Sequence, residues 1–200
     1  MSNESRTCLI CGSSDLHFEF PAKCNADGPI ENYRILRCQK CTVALTDPLP
    51  EAVGDFYNTG IYAKSGGRIS SLIDTMLSWR YKARLHEINR FSFNGGKRLL
   101  DVGCGKGRFI ASANKYGWQA EGSDVVEGQI NAAQEQYNLK ISYGEIWELG
   151  FDEDSFDVIT AWHVMEHLYQ PNRVLQEISK ILCKNGLFVL EVPYQGSWQA

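Results

Sequence analysis

The chain has 200 residues, of which 44% are hydrophobic and 22% charged, with a net charge of −4. That length suits one medium domain beside a small module, and the composition is ordinary for a globular protein. The charge argues against a broadly basic nucleic-acid binder, and the apolar runs are far too short for a membrane span. The first residues, MSNESRTC, lack a basic segment followed by an apolar one, so no secretory signal is expected.

Cys8-x-x-Cys11 and Cys38-x-x-Cys41 are separated by 26 residues. Each pair fits a turn that presents two thiolates to one ion, and two such turns complete a tetrahedral four-sulfur site. Gly12 and the polar Gln39-Lys40 suit tight turns, and Leu16–Phe20 and Tyr33–Arg37 alternate as strands do. The pattern predicts a zinc ribbon over residues 1–46, with Cys8, Cys11, Cys38 and Cys41 holding a structural zinc. A pair of disulfides is the competing reading, disfavoured in the reducing cytoplasm expected of a chain without an export signal. A redox C-x-x-C would need a thioredoxin-like βαβ context, which the pattern lacks. Four protein ligands leave zinc no open position, so the metal is expected to be structural. Cys24 has no assigned role. Cys104 and Cys183 are expected to be reduced and buried, the latter on a helix.

Residues 47–68 are rich in turn formers, with Pro48, Pro50, Gly54, Gly60, Gly66 and Gly67. Tyr57 and Tyr62 stand on either side of Gly60. One reading is a linker whose tyrosines pack on the surface. Ile69, Leu72, Ile73, Met76, Leu77, Leu85 and Ile88 then recur at helical spacing, which predicts a helix over 69–92. Arg80, Lys82 and Arg84 are expected on its solvated face.

Arg98 to Phe109 reads RLLDVGCGKGRF. Leu99-Leu100 leads into Asp101, glycines follow at 103, 105 and 107, and Phe109-Ile110-Ala111 opens a helical pattern. A strand, a tight turn and a helix N-terminus let backbone approach a nucleotide-like ligand closely. The dinucleotide fingerprint G-x-G-x-x-G needs a third glycine where Arg108 stands. A carboxylate at Asp101 would repel a pyrophosphate but orient a cationic amino acid, directly or through water. The turn therefore suits a nucleoside carrying an amino-acid group. Further on, Trp118-Gln-Ala-Glu-Gly-Ser-Asp124 ends in an acidic residue. Its terminal acid lies 17 positions after Gly107, close to the ~20-residue offset of a ribose-binding carboxylate.

Val158–Trp162 reads as an apolar β-type run and Asn172–Leu182 as a helix. Trp162 and His163 fall at the carboxyl end of their strand, the edge where open α/β sheets bind ligands. His163 is a candidate acceptor for a substrate proton, or else a residue that caps the loop or touches the cofactor. His163 to His167 also spells the H-x-x-E-H pattern of inverted zinc peptidases. That pattern requires a helix, whereas here a β-type run precedes it and Pro171 soon follows. A strand-end loop with at most one short helical turn is predicted, held by Glu166 and His167.

The order D-V-G-C-G-K-G at Asp101–Gly107 resembles the first motif of class I S-adenosylmethionine-dependent methyltransferases. The strand ending in Asp124, the turn at Tyr143–Ile146, the run Ser155–Ala161, the segment His163–Leu168 and the strand Gly186–Pro193 resemble that family's later elements, in order. The cysteine pattern, with Asp47-Pro48-Leu49-Pro50 and Phe56-Tyr57 after it, resembles the zinc ribbon that precedes the methyltransferase domain in many bacterial enzymes. Several of those act on nucleotide sugars or on other small cell-surface and secondary-metabolite precursors.

The resemblance implies an α/β fold with a Rossmann-like, doubly wound, mainly parallel sheet and helices on both faces. The ribbon would span residues 1–46, a linker and N-terminal helix 47–93, and the cofactor domain 94–200. The cofactor would be S-adenosylmethionine, released as S-adenosylhomocysteine. Gly103, Cys104 and Gly105 would admit it, Asp101 would orient its amino-acid end and Asp124 would take its ribose hydroxyls. Val125, Glu145 and Ile146 would border the adenine, with Trp162 and His163 completing the edge. The tyrosines of 47–68 would then form a lid. In the family a further helix and an antiparallel strand pair follow the fifth strand, so the chain is expected to be C-terminally incomplete. The expected partner is a small-molecule methyl acceptor, with no membrane. Residues 1–60 hold more acidic than basic side chains, which disfavours nucleic acid. The alternative is a ribbon that recruits RNA or a carrier protein.

Overall fold

The computed structural model of the chain describes residues 6–23, 32–49, 70–91 and 95–193. The chain divides into two compact units. One comprises residues 1–60 with Tyr169–Asn172, the other residues 61–168 with 173–200. Cys24, the turn-rich stretch from Pro50 onward with its tyrosines, and Ile69 lie outside the described residues, as do the side chains of Leu72, Ile73 and Met76.

The first unit is built on an antiparallel sheet in the order β1 (Leu16–Lys23), β2 (Asn32–Cys38), β3 (Ala44–Asp47). Leu16 lies opposite Cys38, so the β1–β2 pairing begins where the second cysteine pair begins. Each cysteine pair sits in a tight turn. The Gly12 N–H donates to the Cys8 carbonyl and the Thr42 N–H to the Cys38 carbonyl, both at 2.9 Å. Gly12 and Thr42 occupy equivalent places in the two turns, both with positive φ. Thr42 takes that conformation at some steric cost, and its hydroxyl donates to the Cys41 carbonyl at 2.7 Å.

The second unit begins with α1 (Ser70–Phe91) and continues with β4 (Arg98–Val102), α2 (Arg108–Lys115), β5 (Gln119–Asp124), α3 (Glu127–Tyr137) and β6 (Ile141–Tyr143). β7 (Phe156–Trp162), α4 (Pro171–Ile181) and β8 (Leu182–Glu191) complete it. The strands form one sheet in the order β6-β5-β4-β7-β8, with every neighbouring pair parallel. Parallel neighbours need long crossovers, which the helices supply. Such a sheet is covered on both faces, which explains why β4 and β7 carry buried apolar residues on both of their sides. Leu99 and Val158 point to one face, packed with Leu85 and Ile88 of α1, Phe109, Ile110 and Ala113 of α2, and Ile130 and Ala133 of α3. Leu100, Val102, Ile159 and Ala161 point to the other, against Val174, Ile178 and Ile181 of α4. The expected Rossmann-like fold with helices on both faces is the observed one.

Two expectations fail locally. Cys183 lies on β8, not on a helix, and is half-exposed; Cys104 is half-buried as well, and both are free thiols. The helix ends at Ile181, and Leu182 pairs at once with Phe156 before the register shifts toward Leu187 opposite Val158. Cys183 is drawn to this irregular start by donating to the Asp154 carbonyl at 2.7 Å and accepting from Arg98 at 3.0 Å. The second failure is on α1. Arg80 and Lys82 are exposed as expected, but Arg84 is half-buried against Trp162.

Candidate functional site

The parallel register brings the carboxyl ends of all the strands of the larger sheet to one edge. The order of the strands reverses between β4 and β7: from β4 the chain builds outward through β5 to β6, then returns to β7 and builds outward the other way to β8. A crevice at such a switch point is the general ligand site of open α/β sheets. The glycine turn follows β4 directly at this point. Gly103, Gly105 and Gly107 all have positive φ, the region in which glycine pays no Cβ penalty. A Cβ on Gly103 would strike Val164, so this position needs glycine for space as well as for conformation. A Cβ on Gly107 would strike Leu139, with Ala133 and Ile141 close by. Gly107 thus fills the close-packing role that the dinucleotide fingerprint gives its third glycine, one residue earlier than Arg108. α2 starts without a side-chain cap, which leaves its first N–H groups directed at the edge.

Asp101, Cys104, Gly105 and Asp124 are gathered at the ends of β4 and β5. The Gly105 N–H donates to Asp124 Oδ2 at 2.7 Å and the Val126 N–H to Oδ1 at 2.9 Å. Asp124 is thereby held at the strand end by one N–H on each oxygen. Asp101 is buried, and its Oδ1 accepts from the Thr160 hydroxyl at 2.6 Å. Burial pushes its carboxyl up to about 7, against the opposing pull of Thr160 and Arg84. Burial beside these two carboxylates also raises the Cys104 thiol, so it stays protonated. Val125 is exposed just beyond Asp124. Glu145 follows β6, with its carboxyl raised by partial burial and by Glu148. Ile146 is buried in the core against α4. Beside it, Arg173 lies 4.5 Å above the Trp147 ring.

On the other side of the switch point, the Trp162 ring meets Phe109 edge-on at 5.2 Å, and Phe109 meets Tyr81 at 5.9 Å. The Arg84 guanidinium lies 3.9 Å above Trp162. His163 follows at once with φ of 57°, an uncommon conformation for a non-glycine residue. Its N–H donates to the Glu191 carbonyl at 2.8 Å, because Trp162 is paired with Glu191. The same neighbour meets its side chain: His163 Nε2 is 2.8 Å from Glu191 Oε1, and Nδ1 is 3.5 Å from Glu166 Oε1. Glu191 is also bound by Arg80, and by Arg84 at 2.5 Å. Partial burial works the other way, but these cations hold its carboxyl below the usual range. Met165–His167 forms only a single 3₁₀ turn, so H-x-x-E-H has no helix on which to arrange peptidase ligands.

Glu191, Thr160 and Arg84 escaped the sequence reading. Glu191 had a legible signal, as an acid that closes the apolar run Leu187–Leu190, much as Asp101 follows Leu99-Leu100. Thr160 had a weaker one, a polar residue in an otherwise apolar run.

In the smaller unit, the sulfurs of Cys8, Cys11, Cys38 and Cys41 lie within 4.8 Å of one another. Cys8–Cys41 and Cys11–Cys38 are each 3.5 Å apart. Thiolates at a Zn–S distance near 2.3 Å in a tetrahedron stand about 3.8 Å apart, whereas a disulfide requires about 2.0 Å. The geometry fits the metal and not the disulfide pairings. N–H groups of Cys41 and Lys40 lower the Cys38 thiol to about 6. The Val43 N–H also favours the Cys41 thiolate, yet burial and the crowding sulfurs push that group up to about 12. Four sulfurs so close cannot all ionise without a cation among them.

The sequence matches the family described as "Methyltransferase domain" over residues 76–199. The chain belongs to this family, and its fold is that of the class I S-adenosylmethionine-dependent methyltransferases. More particularly, it is 32% identical over 96 residues to a ubiquinone biosynthesis O-methyltransferase of Coxiella burnetii, a match covering 46% of this chain and 41% of that protein. It is 33% identical over 101 residues to the O-methyltransferase resE of Aspergillus sclerotiorum, covering 46% of this chain and 38% of that one. A solved structure of a SAM-dependent methyltransferase from Archaeoglobus fulgidus superposes with a TM-score of 0.52 at 25% identity, covering 61% of this chain and 56% of that one. The matched region thus spans about two fifths of the length of the curated relatives. No helix among the described residues is long and apolar enough to cross a membrane.

Proposed function

We propose that the chain binds S-adenosylmethionine and directs its methyl group to a hydroxyl oxygen of a small-molecule acceptor. The observation that carries this reading is the glycine turn at the switch point, flanked by Asp101 and Asp124 on adjacent strand ends. The names of the curated relatives support oxygen as the methylated atom. When bound, the cofactor supplies a methyl already activated on a sulfonium, so the protein's work is positioning and the exclusion of water. The glycine turn brings its backbone against the amino-acid end, and Asp101 attracts the ammonium there. A carboxylate has about four acceptor sites. Backbone N–H groups take one on each oxygen of Asp124, which leaves two for a pair of ribose hydroxyls. Val125 and Glu145 border the base, with the buried Ile146 packed behind them, and Cys104 and Trp162 wall the pocket. His163 accepts the acceptor's proton as the new C–O bond forms and the C–S bond breaks. Glu191 accepts from Nε2–H and so leaves the lone pair on Nδ1.

The same reading divides the chain into a ribbon over 1–46, a linker and helix over 47–93, and a cofactor domain over 94–200. The four cysteines hold a structural zinc, which suits a reducing cytoplasmic setting.

A mass-spectrometric screen of hydroxylated aromatics and sugars tests the reading. Formation of an O-methyl product together with S-adenosylhomocysteine is expected. His163→Ala is expected to cut turnover by about 100-fold or more, with cofactor affinity retained. Unchanged turnover in that variant would remove His163 as the proton acceptor.

A further inference from the structure

One row of side chains crosses the sheet beneath the glycine turn: Gly122 on β5, Asp101 on β4, Thr160 on β7 and Val189 on β8. Parallel register places all of these on one face. Gly122 brings no side chain to the row, and a Cβ there would strike Ile110 and Cys104. Val189 is apolar. Within the row, therefore, only Thr160 offers Asp101 a hydrogen bond.

Thr160 is fully buried. A hydroxyl has a single proton to give. The Asp101 oxygen lies 2.6 Å from Thr160 Oγ1 and the Leu100 carbonyl 3.5 Å away, so the carboxylate takes the proton. The β-branched side chain is stiff at χ1, and a strand in a packed core holds it further. The donor therefore points in a fixed direction. From α1, Arg84 and Tyr81 also face Asp101; Asp124 faces it from β5 and Cys104 from the turn. Arg84 favours the anion and Asp124 opposes it. Thr160 is the member of this group that fixes one carboxylate oxygen by a short hydrogen bond.

We infer that Thr160 is a positioning residue for cofactor capture: its hydroxyl holds Asp101 in one rotamer and favours its anion, with the second oxygen left for the cofactor's ammonium group. The inference rests on the reading of Asp101 given above. Without the hydroxyl, a buried carboxylate in this row would have no side-chain donor beside it and would keep its proton instead. A protonated Asp101 has no charge with which to attract the ammonium.

Calorimetric titration of S-adenosylmethionine into the wild-type chain, T160V, T160S and D101N across about pH 5.5 to 9 tests this. T160V keeps the side chain's shape and removes the donor; T160S keeps the donor and removes the methyl. In T160V the Kd at neutral pH is expected to rise about tenfold. The pH below which affinity falls is expected to move upward by about one unit. T160S is expected to restore both. Wild-type affinity and pH profile in T160V would overturn the proposal, as would T160S binding as weakly as T160V. Wild-type binding by D101N would also overturn it, and would place the failure in the reading of Asp101 rather than in Thr160. Should T160V not fold, Thr160→Cys, with its weak thiol donor, carries the same comparison.

Discussion

A carboxylic acid placed in the middle of a packed sheet is costly to ionise, and Asp101 shows the cost directly. Its carboxyl is pushed up to about 7 by burial, whereas the same group in an unfolded chain ionises near 3.9. The folded state holds the proton more tightly than the unfolded one. The stability this confers is complete below about pH 4 and is lost as the pH rises through about 7. Asp101→Asn removes the ionisation and keeps the shape. It should stabilise the cofactor-free protein by roughly 1–4 kcal/mol at about pH 8 and change little near pH 4. Thermal melts at the two pH values measure this, and equal effects at both would refute it. Such a group is retained where function demands charge in a dry place. Sequence alone identified Asp101 from its position before the glycine turn. Its environment was not legible, because Thr160 lies 59 positions away and only the β4–β7 register joins them. Arg84 shows the same limit. Helical periodicity assigned it to a solvated face, but the aromatic ring it covers belongs to a strand end far along the chain.

At the scale of elements, the glycine turn and the cysteine turns were the most legible parts of the chain, because each depends on local geometry. Positive φ at Gly103, Gly105 and Gly107 is a property of the turn itself. β7 was legible because two-sided burial demands the apolar residues Val158, Ile159, Ala161 and Trp162 in close succession. The start of β8 was not. Its first residues, Leu182 and Cys183, read like the tail of the preceding helix, and a register shift carries the strand past them. H-x-x-E-H misleads for the opposite reason, since its letters are local but its chemistry needs a helix that the strand end forbids. For the paired cysteine turns the expected outcome is about one zinc per chain in freshly purified protein, with chelation unfolding the ribbon. Elemental analysis with a thiol titration decides it. Metal-free protein whose cysteines are oxidised in pairs would refute it.

Over the whole molecule, strand order and motif order agree. The sheet order β6-β5-β4-β7-β8 places β4 at the centre, with the turn, Asp101 and Asp124 on one side of the switch point and Trp162, His163 and Glu191 on the other. Under the proposed function, that arrangement separates a cofactor half from a proton-accepting half, the division a methyl transfer needs. The acceptor was not legible in the sequence. Acceptor pockets are shaped by side chains whose identities follow no fixed spacing, whereas the nucleoside site reuses backbone geometry. The curated relatives extend well beyond the matched region, and their acceptors are named for proteins that differ from this one over most of their length.

The most direct test of the account is a calorimetric titration of the chain with S-adenosylmethionine, with S-adenosylhomocysteine and NAD run beside it and Asp124→Ala as the variant. Binding of both sulfur nucleosides but not NAD, weakened about tenfold or more in Asp124→Ala, is the predicted result. A folded chain that binds neither sulfur nucleoside, or that binds them equally well without the Asp124 carboxylate, would contradict it.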